Sequence, residues 1–429
     1  MTGAKPCGPC VNGLLINARN KAKQGLSYTF FIKQYTYIIY YEKFFVTLRL
    51  LNTRNSNSHI MKQMLIFIAA ALLTFCTVEA RQEIPFIDAA PFDTIVDGKQ
   101  IKLYTITNGT VGAQVTNFGA FVVSIFAPDR NGQYANLVTS YSNIRQYLRY
   151  NLGQVGPAVG RYANRISGAQ FTLDDKTYQL TRNNGRHTLH SGNNGFDHTI
   201  WDVVSNSQDR LVLKCVSADG TDGFPGTLVT ILTYTITSDG GLSVEYEATT
   251  DKPTVVSTTT HSYFNLNGAG NGDILGHQLQ IMADQTTEAD RELIPTGKLI
   301  PVEGTPFDFR KPVTLSERQI AVQGSGFGFG QRMEIPEGKV RQYDINFCLN
   351  HTDPKKVEKV AEVYAPESGR VMEVWNNHPG LQLYTGARTA IALESQMYPD
   401  TPNRPEFPSA RLDPGQKYQH TCIYKFSIR

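Results

Sequence analysis

Five short segments set side chains that could bind a polar ligand or move a proton among glycines and turn residues. They are Gly160-Arg161-Tyr162-Ala163-Asn164-Arg165-Ile166, Leu189-His190-Ser191-Gly192, Thr260-His261-Ser262-Tyr263-Phe264-Asn265-Leu266, Tyr343-Asp344-Ile345-Asn346-Phe347 and Leu393-Glu394-Ser395-Gln396. The last leads on to Pro399-Asp400-Thr401-Pro402-Asn403. Carboxylates with pKa near ~4.3 and imidazoles near ~6.5 suit proton exchange close to neutrality. An arginine can grip hydroxyl groups or steady an oxyanion. Singly, each segment says little: a lone histidine beside aromatics is more often a hydrogen-bonded core residue, and a lone aspartate in a turn more often a cap.

Other candidate chemistries are weaker. Cys7-Gly8-Pro9-Cys10 has thioredoxin-like spacing, but that reading needs a strand before it and a helix after it, and neither pattern is present. Cys215, Cys348 and Cys422 stand alone in apolar surroundings and read as buried free thiols. His187, His190 and His198 could be taken for zinc ligands. On a strand, however, His187 and His190 would leave opposite faces, and no third ligand stands at a convincing spacing. The glycine run Gly324–Gly330 matches no phosphate-binding pattern and reads as a mobile loop.

The elements that must position these residues are strands. From Ile84 onward the dominant pattern has period two, broken by turn residues. Ile101–Thr107 runs through Asn108-Gly109 into Val111–Phe118, a hairpin signal. Leu228, Thr230, Leu232, Tyr234 and Ile236 share a face, Asp239-Gly240 turns the chain, and Leu242, Val244, Tyr246 and Ala248 resume it. Glu245 and Glu247 fall on the wetter side. Val360–Tyr364 and Val371–Trp375 flank Glu367-Ser368-Gly369, and Leu381–Tyr384 and Cys422–Ile428 also read as strands. Tyr141–Tyr150 is the best short helix. With no linker and no repeat, residues 84–429 are expected to form one all-β domain, a large antiparallel sandwich.

The front of the chain differs from its body. Residues 1–60 carry eight Lys/Arg against the single acid Glu42, a surplus of +7 in a chain whose total is +3, leaving −4 for the remainder. That mildly acidic body excludes a nucleic-acid partner. Met61-Lys62-Gln63-Met64, the apolar run Leu65–Phe75 and Thr77-Val78-Glu79-Ala80 compose a secretory signal over 61–80, cleaved after Ala80. The run is too short to span a bilayer, so no stable membrane span is expected. Acylation of Cys76 would anchor the chain, though Leu73-Thr74-Phe75 lacks the small residues usual before such a site. A signal beginning at 61 marks residues 1–60 as an over-called extension. The address expected is periplasmic or extracellular; monomer and homodimer both stay open.

Taken together and in order, the five segments resemble those of the aldose 1-epimerase (galactose mutarotase) family. Asn183-Asn184-Gly185 and Pro379-Gly380 with Tyr384-Thr385-Gly386 add to the likeness, which runs from about Phe86 to Arg429. The resemblance implies a β-supersandwich with a free hexose bound on a concave sheet face. Glu394 would be the base and His261 the acid, with Asn164, Arg165, His190 and Asp344 holding the sugar. Opening a pyranose takes a proton from O1 and delivers one to the ring oxygen O5, so an acid–base pair on opposite sides of the ring suffices. Burial should raise the Glu394 pKa, and the carboxylates of Asp344 and Glu394 should keep His261 protonated. Tyr263, Phe307 and Trp375 are candidate platforms for the sugar's apolar face, against core packing as the plainer role. The mechanism requires no cofactor. Some exported members are associated with calcium, but no Asp-rich loop here demands it.

Two features depart from the family. Where many members carry Gln or Glu before Pro-Gly, this chain has His378, expected to bond sugar hydroxyls. The stretch Ala387–Leu393 before Glu394 is shorter than in many relatives. A sugar-phosphate isomerase would want several cations round the site and a cytosolic address. A glycosidase would have only Asp344 and Glu394 as its carboxylates. An exported sugar-binding protein without catalysis is the alternative from another class.

Overall fold

Alternation of apolar and polar residues builds the fold, because successive side chains on a strand leave opposite faces. In the strands Gly380–Tyr384 and Ile391–Gln396, Leu381, Leu383, Ile391 and Leu393 join the main core. Gln382, Tyr384, Glu394 and Gln396 are thereby carried to the other face. The structure, a computed structural model, describes residues 82–150, 155–320, 336–353, 355–386 and 389–429. The Cys7–Cys10 motif, the expected 1–60 extension, the expected export signal with Cys76, and the Gly324–Gly330 run lie outside these residues.

Two large antiparallel sheets carry the domain. One has six strands in the order Tyr263–Phe264, Ile391–Gln396, Gly380–Tyr384, Asp344–Leu349, Ala283–Ala289 and Pro295–Pro301. The other has nine, with Leu228–Ile236, Gly241–Thr250, Tyr418–Ile428 and Arg370–Asn376 at its centre. Inward residues of the nine-stranded sheet, among them Val244, Val374 and Tyr424, share one core with Leu381, Leu383 and Leu393. The Tyr424 hydroxyl donates to the Leu393 carbonyl at 3.0 Å, pinning the strand that bears Glu394. Truncating one of these fully buried leucines to alanine would cost about 2–5 kcal/mol.

The hairpins read from sequence form, with one difference. Leu228–Ile236 and Gly241–Thr250 pair in the expected register, with Ile236 opposite Leu242. Leu103–Thr107 pairs with Gly112–Thr116, but Thr107 faces Gly112, so the connection is longer than an Asn-Gly turn. The reason is local: Asn108 Oδ1 accepts from the backbone N–H of both Thr110 and Val111, at 2.9 Å each. The helix Ile144–Tyr150 falls within the expected stretch and buries Ile144 and Tyr147, the latter 4.8 Å from the Phe121 ring.

Candidate active site

The six-stranded sheet supplies the carboxylates. Strand register sets Asp344 opposite Tyr384, and Gln382 opposite both Asn346 and Glu394. Gln382 Nε2 donates to Asp344 Oδ1 at 2.6 Å, which orients that carboxylate. His261 and Tyr263 come from the segment running into the first strand of the sheet. The His261 backbone is held on both sides: its N–H donates to Pro157 O and its carbonyl accepts from Gly156 N, both at 3.0 Å. The Tyr263 ring stacks on the His261 ring with centroids 4.9 Å apart.

Asn164, Arg165 and His190 arrive on a small two-stranded ladder, Arg165–Ile166 with Thr188–Leu189. Asn164 (φ 64°) and His190 (φ 50°) adopt left-handed backbone conformations that turn the chain out of the ladder at either end. Arg165 lies between Asn184, whose Oδ1 accepts from Nε at 3.3 Å, and Asp344, whose Oδ2 is 3.9 Å from Nη2. Asn183, next along, caps the turn by accepting from Leu189 N at 2.7 Å.

Seven of the eight site residues expected from sequence line one cavity of about 80 Å³ open to solvent: Asn164, Arg165, His190, His261, Tyr263, Asp344 and Glu394. Leu189 and Tyr384 complete its lining. Within it His261 Nε2 lies 3.3 Å from Glu394 Oε1. That distance corrects the expectation of two groups on opposite faces of a sugar ring: ring atoms alone need ~3.5–4 Å from each neighbour. The pair meets the ligand from one edge. This suits chemistry at C1, the carbon that bears both O1 and O5.

Burial sets the protonation of the site. It pushes Glu394 well above the usual carboxylate range, helped by the Asp344 charge and opposed by Arg165. Burial also pulls His261 down to about 4. The expectation that neighbouring carboxylates would hold His261 protonated is thus not met: desolvation of the imidazolium prevails, opposed only by a hydrogen bond with its own backbone. Both shifts favour a proton on Glu394 over one on His261. His190 is held well below its ordinary value by burial, then by His261 and Arg165. Asp344 is raised by burial against the pull of Arg165.

His378 is placed elsewhere. Its ring packs on His420 at 3.9 Å and its Nε2 meets the Tyr418 hydroxyl at 2.9 Å. His420 in turn contacts Ser395 Oγ at 2.8 Å, so this cluster sits behind the Glu394 strand, on its core side. Gln382 is the residue that sequence reasoning missed. It is hidden in the Leu381-Gln382-Leu383 alternation, and extending the period-two argument from Glu394 across the strand pair would have found it. Of the proposed sugar platforms, only Tyr263 lines the cavity. Phe307 packs edge-on against Tyr343, and Trp375 donates its indole N–H to Glu373. Ala387 and Arg388 of the short loop lie outside the described residues.

The metal question turns on tautomers. Donor atoms of His190, His261 and Glu394 lie within 4.8 Å of one another. His190 Nδ1, however, already accepts the Asn164 backbone N–H at 3.1 Å, so Nε2 of the neutral ring carries the hydrogen and offers no lone pair. Two donors remain, short of the three protein ligands of a catalytic zinc. Calcium asks for six to eight oxygens, and an imidazole-rich cavity fits it poorly. His187 and His198 point away, to Glu292 (3.6 Å) and Asp197 (3.4 Å).

A sequence profile of the family described as aldose 1-epimerase matches residues 102–425. The chain belongs to the aldose 1-epimerase family. It is similar to a galactose mutarotase of Sus scrofa, 35% identical over 347 residues that make up 76% of this chain and 94% of the relative. It is also similar to an aldose 1-epimerase of Escherichia coli K12, 34% identical over 77% of this chain and 96% of that one. Among solved structures, an aldose epimerase homologue from C. elegans superposes with a TM-score of 0.68 at 28% identity. That match covers 76% of this chain and 99% of the other. A galactose 1-epimerase from Lactobacillus acidophilus gives 0.65 at 25%, covering 78% and 97%. For a member of the aldose 1-epimerase family, an all-β antiparallel fold and isomerase chemistry go together.

Proposed function

We propose that the cavity interconverts the α and β anomers of a free hexose, with Glu394 as base and His261 as acid. Glu394 takes the proton of the O1 hydroxyl, and C1–O1 becomes a carbonyl. The C1–O5 bond breaks with its electron pair going to O5, which takes a proton from the His261 imidazolium. Rotation about C1–C2 presents the other carbonyl face. Closure then reverses every transfer, returning the proton from Glu394 to O1 and that of O5 to His261. No electrons are gained or lost.

The observation that carries this reading is the 3.3 Å approach of His261 Nε2 to Glu394 Oε1 in a buried cavity. Burial favours protonated Glu394 and neutral His261, so the reactive pair forms by passing the proton from Glu394 to His261 across this contact, and ring opening restores the favoured arrangement. Arg165, beside Asp344, steadies charge developing on the sugar oxygens, while His190, Asn164, Asp344 and Gln382 fix the ring. Among the described residues that line the cavity Arg165 is the one Lys or Arg, which favours an unphosphorylated sugar. The apolar run Leu65–Phe75 supports export, so the substrate would be met outside the cytoplasm.

Polarimetry of freshly dissolved α-glucose and α-galactose tests the reading. The chain accelerates the approach to equilibrium, and Glu394→Gln or His261→Asn each lower kcat by roughly 10²–10⁴-fold with the near-UV spectrum unchanged. Two variants as fast as the parent would rule the mechanism out and leave a binding protein.

A further inference from the structure

Beneath the cavity lies a second polar cluster that the reaction as written does not use. Asn346 is 1% exposed and Gln396 0%, yet neither the oxygen nor the nitrogen of either amide has a hydrogen-bond partner within the protein. Gln382 Oε1 and Glu394 Oε2 share that condition.

Strand register gathers these atoms. Asn346 is opposite Gln382, Gln382 is opposite Glu394, and Gly380 is opposite Gln396, all on the face turned away from the main core. Directly opposed residues on one face have Cβ atoms ~4.5–5.5 Å apart. Gly380 makes the room: a Cβ there would stand 2.5 Å from Asn346 Oδ1, so the Asn346 amide leans over the glycine towards Gln396. Neither Asn346 nor Gln396 lines the sugar cavity, so a bound sugar does not satisfy them. Buried polar atoms are rarely left without partners, and enclosed polar space with two to four donors or acceptors is where proteins hold ordered water.

We propose that Asn346 and Gln396 hold a buried cluster of about two water molecules, which hydrates Glu394 Oε2 from beneath. The two amides are then positioning residues for the base, an inference that rests on the catalytic reading of Glu394. The water supplies donors to the carboxylate that burial would otherwise deny it, keeping its ionised form within reach. The other titratable groups facing Glu394 are His261, His190 and Arg165 across the cavity, Asp344 and Tyr384 along the sheet, Tyr263 beside His261, and Tyr424 behind the strand.

Asn346→Leu and Gln396→Met preserve volume and remove the hydrogen-bonding ends. Each is expected to lower the plateau of kcat/KM roughly tenfold and to move its alkaline limb, where the more basic Glu394 loses its proton, upward by about one pH unit. KM on the plateau should stay unchanged, which a general loss of structure would not allow. A high-resolution crystal structure of the unliganded parent should show water bonded to both amides and to Glu394. An unmoved alkaline limb and plateau in the folded variants overturn the proposal. So do amides found bonded to each other or, in a sugar complex, to a sugar hydroxyl. Should either variant fail to fold, the crystal structure decides alone. Bound water beneath a Glu394 whose replacement leaves activity intact would instead remove the catalytic reading.

Discussion

Asn164 and His190 clasp each other through two backbone-anchored hydrogen bonds: the Asn164 N–H donates to His190 Nδ1 at 3.1 Å, and its carbonyl accepts the His190 N–H at 3.0 Å. The first bond leaves the neutral ring with its hydrogen on Nε2, aimed into the cavity as a donor. Burial keeps the ring neutral. The imidazole nitrogens of His190 should therefore show the Nε2–H tautomer by NMR and no titration between pH ~5 and 8. His190→Ala should raise KM more than it lowers kcat, because a group that holds ground and transition states alike acts on binding. A ring titrating near 6.5 would contradict this.

Asp344 raises the Glu394 pKa through a like charge. Asp344→Asn removes that charge, so the alkaline limb of the kcat profile should move to lower pH even as KM rises. A limb that stays in place or moves upward would show that Asp344 does not act on Glu394 electrostatically.

Glu394 also links activity to stability. Burial holds its folded-state pKa well above the ordinary glutamate value, so the folded chain holds this proton more tightly than the unfolded one. The associated stability is complete below the unfolded value and is lost as pH climbs through the raised one. Melting temperature should fall over that window in the parent and fall less in Glu394→Gln, which becomes the more stable protein at alkaline pH. Equal slopes for the two would refute the linkage.

Arg161, 2% exposed, is solvated by carbonyls rather than by a carboxylate. It donates to Ser217 O, Ala218 O and Pro225 O at 2.7–2.9 Å and to Ser217 Oγ at 2.9 Å. Burial lowers it to about 10, still well charged at neutrality. Arg161→Met would strand these acceptors and destabilise the fold by about 3 kcal/mol, read from urea denaturation. A loss below about 1 kcal/mol would show that the carbonyls find other donors.

Much was legible in the chain itself. The alternation Leu381-Gln382-Leu383-Tyr384 and Ile391-Ala392-Leu393-Glu394 determines which side chains share a face, because a strand offers only two. That rule held for the large hairpins and would have included Gln382 had it been applied beyond the recognised segments. Asn108 shows its limit: the side chain caps two backbone donors and lengthens a turn that the Asn-Gly pair alone suggested was tight.

Sequence by itself determined the strands, the antiparallel all-β class and the set of polar residues available for chemistry. Only tertiary structure decided that His261 stands beside Glu394 rather than across a ring from it, and that His378 turns to Tyr418 and His420 behind the sheet. It also decided that burial pulls the His261 pKa down. The physical reason is that alternation is a property of neighbouring residues, whereas desolvation and approach depend on what distant segments pack around a group. The pKa of a buried imidazole is set by its surroundings, and those are assembled from the whole chain.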